Sequence, residues 1–197
     1  MARLYMHGHQ LIRDTDRYDL SGLSNEQIAE ARVVRYAVST ESSTIVYIKV
    51  AGADGAGRPT PLSAREFAGF KAYVDEIKDA GVAIEVVNQP PDSIRLNLEL
   101  FVSASFLGNH AVANQTVSSV IQGVLNSFPF DGILRLSDIV RALEALSDVE
   151  VAVIRAAEVK TYHALEWTNV DGYCRPYAGY WSLDGLGVNY RLYNKYD

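Results

Sequence analysis

His7-Gly-His9 places two imidazoles one residue apart, a pair able to share a metal ion. Two ligands leave a tetrahedral site half built, and no Cys, His or carboxylate partner follows at metal-site spacing. The segment reads as an exposed N-terminal arm. Asp14-Thr-Asp16 is a second candidate, because a D-x-D pair holds metal ions in many nucleotidyl-transfer enzymes. There the pair stands on a strand just after a Gly-Ser turn. Here it lies in a polar turn, ahead of Gly22 and Ser24. A metal-dependent nucleotidyltransferase using Asp14 and Asp16 is therefore the enzymatic alternative, and an Asp-rich turn is the preferred reading. Asp54-Gly-Ala-Gly57 lacks the Gly-Lys-Ser/Thr of a P-loop and the third glycine of a dinucleotide site. Cys174, the single thiol, has His163 as a conceivable partner, but a buried or idle thiol is favoured. His110 opens a helix and reads as a surface or cap residue. Asp75 and Glu76 are adjacent on a helix and so point apart. These residues predict no catalytic site, no metal ligands and no cofactor.

The rest of the composition points the same way. The chain has 197 residues, is 48% apolar and 21% charged, and carries a net charge of −6. Such values suit a soluble globular protein with one sizeable domain or two small ones. The acidic balance, without any Lys/Arg run, speaks against nucleic acid as the main partner. One cysteine cannot form an internal disulfide. The N-terminus lacks the long apolar segment of a signal peptide, and no apolar run approaches the ~18 residues of a membrane span. Synthesis in the cytoplasm and no membrane partner are expected.

Two capping boxes mark helix starts: Ser24 with Gln27 and Ser63 with Glu66. The first predicts a helix to about Thr40, although the run from Val33 to Val38 could extend as a strand. Thr44 to Val50 is β-branched and aromatic, hence a strand. Residues 51–61, AGADGAGRPTP, read as a hinge. Phe67, Phe70, Val74 and Ile77 recur at helical spacing after Ser63, with Gly81 as the C-terminal cap. A strand over 82–87 is followed by a break at NQPPDS, 88–93. Ile94, Leu96, Leu98 and Leu100 alternate with Arg95, Asn97 and Glu99, the pattern of a half-buried strand. A helix over 112–126, an aromatic-Gly turn at 128–132, a short extended piece, a helix from Leu136 or Ser137 and a strand over 149–159 complete the order β-α-(short β)-α-β. The predicted fold class is α+β: two consecutive sandwich units, each a small sheet with helices on one face. The predicted divisions are 1–60 (arm, helix and strand), 61–160 (sandwich module) and 161–197 (aromatic-rich extension).

That extension concentrates Tyr and Trp, residues that bury much area at small entropic cost and keep a polar tip. Leu186 to Tyr193 predicts a final strand. The tail suits an edge strand or a docking surface, with Tyr177, Tyr180, Trp181, Tyr190 and Tyr193 as the interface residues. A soluble domain that uses this tail as a ligand pocket is the other non-enzymatic alternative.

The capped helix, the strand pair DAGVAIEVVNQPPDSIRLNLELFV, the helix after it and FPFDGILRLSDIVRALEALSDVEVAVIRAA together resemble the C-terminal half of the baseplate J-like proteins of contractile phage tails and related injection systems. The likeness is carried by Gly132, Leu136-Ser137, Ile139, Leu143, the Ser147-Asp148-Val149 turn and the Val151 strand. That turn is often Gly-Val in the family; Asp148-Val149 stands here. The tail AGYWSLDGLGVNYRLYN is similar to versions from phages and prophages of gut Bacteroidetes. The resemblance implies a virion structural protein without an active site. It would be assembled in the host cytoplasm into a tail, as an oligomer packed against copies of itself and other tail or baseplate proteins.

Overall fold

The computed structural model describes residues 2–108 and 110–194. The fold is α+β, in two compact units, Met1–Pro90 and Pro91–Asp197. The division expected at 51–61 does not fall there. Asp54 accepts hydrogen bonds from the backbone N–H groups of Ala56 (2.9 Å) and Arg58 (2.8 Å), and its carboxylate pairs with the Arg58 guanidinium. A segment that binds itself this closely is a tight hairpin turn. Two consecutive prolines make the break instead, since neither can donate to a sheet.

In the first unit, Ser24 caps α1 (Asn25–Ala31) through a complete capping box. The helix then stops nine residues short of the predicted Thr40. Tyr36–Ser42 is strand β1, paired antiparallel with β2 (Ile45–Ala53), so the β-branched alternative prevails once a partner strand is available. The short β3 (Pro59–Thr60) folds back on the end of β2. Helix α2 (Ala64–Ile77) starts at the Ser63 capping box as predicted. It ends at Lys78 rather than at Gly81, which serves the following turn. The helix crosses over to β4 (Ala83–Val87), parallel to β2. Phe70, Tyr73 and Val74 of α2 pack with Val50 and Leu62, and Tyr5 of the N-terminal arm inserts among them. Its ring centroid lies 5.5 Å from Phe70 and 5.4 Å from Tyr73.

The second unit is a four-stranded sheet in the order β10-β5-β7-β8. Its strands are β5 (Asp92–Val102), β7 (Val149–Lys160), β8 (Thr168–Asn169) and β10 (Trp181–Leu192). Between β5 and β7 run α3 (Ala104–Leu107), α4 (His110–Ser127), β6 (Leu134–Arg135) and α5 (Leu136–Glu144). β6 pairs with β9 (Tyr173–Cys174) in a separate ribbon. The predicted cassette is thus present. The tail is not a third division, because its last strand pairs parallel with β5 and completes the sheet.

Alternation in β5 sorts the two faces. Ile94, Leu96, Leu98, Leu100 and Val102 form one core with Val117 and Ile121 of α4 and Ile139 and Leu143 of α5. At the turn before β7, Asp148 accepts hydrogen bonds from the hydroxyls of Ser103 (2.6 Å) and Ser105 (2.9 Å). It thereby ties the end of β5 to the start of β7, a latch that a glycine at this position could not make.

Leu143 is fully buried. Leu143→Ala is expected to lower unfolding free energy by about 2–5 kcal/mol, measured by urea denaturation. A loss below ~1 kcal/mol would contradict the packing of α5 onto the sheet.

Candidate functional site

The other face of the second sheet carries the polar half of the β5 alternation, and functional groups converge there. Glu99 is its centre. The register sets Glu99 beside Asn189 of β10 on one side and Val153 of β7 on the other. One extra residue in β7, Arg155, interrupts the pairing between Asn97 and Leu98. Such a bulge re-aims a side chain. Arg155 donates through Nε to Glu99 Oε2 at 2.7 Å, and also through Nη2. Arg191 of β10 pairs through Nε with Glu99 Oε1.

The carboxylate is nearly inaccessible, with 4% of its side chain exposed, whereas Arg155 and Arg191 are 62% and 60% exposed. Hydrogen bonding from Arg155 holds the Glu99 carboxyl below its ordinary value, against the opposing effect of desolvation, and the charges of Arg155 and Arg191 add to the lowering. Asn97, Asn189 and Gly187 complete a cavity of about 570 Å³ around this cluster. The Asn97 side chain reaches over Gly187, and a Cβ there would displace its Oδ1. Four residues earlier on β5, Arg95 grips Glu158 with two bonds of 2.7 and 2.9 Å. Its guanidinium carbon lies 4.4 Å from the centre of the Trp167 ring. Beyond Glu99, the register places Phe101 beside Val151. The face therefore offers paired charges, an aromatic ring and an apolar end.

Among the described residues, β10 lies at the edge of this sheet, with β5 as its one strand neighbour. Its aromatics divide in a way that revises the predicted interface. Trp181 is 8% exposed and belongs to the core. Tyr180 is half-buried and stacks on Phe130, with centroids 6.1 Å apart. Burial, followed by the charge of Asp92, pushes its hydroxyl pKa up. Tyr190 packs against Phe106 and His110 and donates a 2.8 Å hydrogen bond to Asn114 Oδ1. Tyr177 and Tyr193 are exposed, at 39% and 40%. The docking role assigned to Tyr180 and Trp181 conflicts with this packing. The tail segment they belong to is clamped onto the Phe128–Gly132 turn. Asp131 N–H donates to Gly179 O at 2.7 Å, and Gly179 has φ +98° with the Phe130 ring where a side chain would go. The apolar spacing of the tail had no period that could reveal this, because the partner surface lies some fifty residues earlier.

The remaining candidates lie apart from this face. His7 Nδ1 is 3.0 Å from the Tyr5 hydroxyl, so the arm is held by its aromatic neighbour rather than lying free. With Arg65, Tyr73 and Glu76 these residues line a cavity of about 640 Å³ in the first unit. Asp14 takes φ +60° and is highly exposed, with Arg13 at 3.7 Å. Neither Asp14 nor Asp16 lies on a strand. Among the described residues, no three His, Cys, Asp or Glu side chains are grouped to hold a metal ion. Burial, then Asp92, pushes the Cys174 thiol up to about 11, which opposes thiolate chemistry. His163 packs edge-on against Tyr162. Among the described residues, no helix is long and apolar enough to cross a membrane.

Comparison with protein-family models and with curated proteins finds no match to this chain.

Two outcomes test the site. Trp181→Ala is expected to cost about 3–5 kcal/mol in urea denaturation, as for a buried Trp, while Tyr193→Ala stays within about 0.5 kcal/mol. Equal effects would reverse the division of the tail. The second outcome follows from Glu99, whose folded-state value is depressed below the 4.5 of a free carboxyl. The stability it contributes is complete above that value and is lost as pH falls through the lowered one. Glu99→Gln should therefore reduce stability at neutral pH and flatten its decline in acid. A variant curve parallel to wild type would show that Glu99 is not coupled to folding.

Proposed function

We propose that this chain is a structural component of a phage tail baseplate, or of a related contractile injection system. It acts there as a docking module without catalysis, packed in the virion against other tail proteins and copies of itself. The observation that carries this reading is β10, a strand of 12 residues on the edge of a sheet whose adjoining face is open, charged and aromatic. A long edge presents unpaired backbone donors and acceptors, a liability in a free protein and a ready-made contact in an assembly. The exposed Tyr177 and Tyr193 suit the rim of such a contact. The β-α-(short β)-α-β order with its Phe-Asp-Gly turn agrees with the sequence resemblance to baseplate J-like proteins.

The test is the composition of particles. Tail particles purified from cells that produce them should contain this chain in fixed ratio to sheath and tube proteins, read by quantitative mass spectrometry. Recovery only in the soluble fraction, with particles complete and lacking it, would overturn the proposal.

A further inference from the structure

The cluster around Glu99 is unbalanced. Two guanidiniums, ten N–H donors in all, converge on one carboxylate. Glu99 engages Nε and Nη2 of Arg155 and Nε of Arg191. The remaining donors have no acceptor among the described residues, and both groups are more than half exposed over the cavity. Their shared carboxylate holds them in place, so a second anion would meet a pre-ordered fork rather than two mobile chains. The net charge of the cluster is +1 in a chain whose overall charge is −6.

Arg191 and Gly187 also stand on the edge strand, with side positions facing the open side of the sheet. A strand added to β10 would bring its own side chains to about 4.5–5.5 Å from these positions. A residue opposite Arg191 would reach the unused guanidinium donors. Over Gly187 the face is occupied by the Asn97 side chain, so the partner's contacts centre on Arg191.

We infer that the β10 edge and the Arg155–Arg191 pair form one binding site for an extended, carboxylate-bearing segment of a different protein, added to the sheet as a fifth strand. The inference rests on the docking reading and narrows it to a partner chemistry. An acidic side chain opposite Arg191 supplies the specificity, and backbone pairing along β10 supplies the remainder. A second copy is disfavoured as occupant, because edge-to-edge pairing of two β10 strands brings two clusters of charge +1 together.

Titration calorimetry on the full chain tests this with three probes. The first is a capped heptapeptide of alternating β-branched and polar residues with one central glutamate. The second replaces the glutamate by glutamine. The third keeps the glutamate and carries N-methyl groups on alternate amides. The glutamate peptide should bind at least tenfold tighter than its glutamine twin, N-methylation should abolish binding, and Arg191→Gln, checked for folding by circular dichroism, should remove the preference for glutamate. The peptide comparisons hold even if that variant fails to fold. Equal affinity of the first two peptides, retention of binding by the N-methylated one, or no binding by any of them overturns the inference. So does a wild-type dimer in analytical ultracentrifugation that the glutamate peptide cannot dissociate. Each of these failures leaves incorporation into particles, measured separately, to judge the docking reading.

Discussion

A carboxylate buried in a sheet must be neutralised where it stands, and Glu99 on β5 imposes that demand on the second unit. Water cannot satisfy it, because its side chain is almost wholly covered. The partners come from both flanking strands: Arg155 from β7 and Arg191 from β10. The three strands must therefore hold a fixed register, and the bulge at Arg155 is part of it. A slip of β10 by one residue would carry Arg191 to the helix side and leave the charge short of a partner. The same alternation that exposes these charges on one face sends Ile94 to Val102 into the core on the other. Packing and electrostatics thus select one arrangement of the strands.

The arrangement also explains why the aromatic tail is both structural and available. The segment from Pro176 to Trp181 is fastened to the Phe128–Gly132 turn by ring stacking and a backbone hydrogen bond, and to the start of β5 by Ala178 N–H donating to the buried Asp92 at 3.1 Å. The strand that follows has β5 as its one strand neighbour among the described residues. Rings near the start of the strand fill the core, while Tyr193 past its end remains at the surface. A sheet completed by β10 has a new edge to present. In the proposed assembly that edge is where a neighbouring protein continues the sheet.

Asp148 shows how one substitution in a common turn acquires a local purpose. The turn closes α5 and opens β7, and its carboxylate gathers two serine hydroxyls from the far end of β5. Hydrogen bonds from Ser103 and Ser105 hold its pKa below the ordinary carboxylate range, so the latch stays charged through neutral pH. The core strands β5 and β7 are thereby joined at the end opposite the Arg95–Glu158 pair. Ties at both ends keep the central pair of strands, and the cluster between them, in place.

Local pattern was sufficient for much of this protein. Both capping boxes, the stripes of α2, α4 and α5, the alternation of β5 and the break at Pro90-Pro91 are properties of short stretches, and a period of 3.6 or 2 reports them directly. The polar half of β5, with Arg95, Asn97 and Glu99, was legible in the same way as a wet face. What it faced was not. Glu99, Arg155 and Arg191 are 56 and 36 residues apart in the chain, and no local period links them; only strand pairing and a bulge bring them together. The end of α1 was decided likewise, because residues 36–42 suit a strand only when β2 lies beside them. The tail has no pattern of its own that separates Trp181 from a surface anchor, and its burial depends on the core of the second unit, built from distant segments. Sequence by itself determined which elements form and which side of each is apolar, since those follow from the geometry of one helix or one strand. Tertiary structure alone decided which strands pair, where the chain divides and which charges meet, since those depend on contacts between segments that local sequence does not couple.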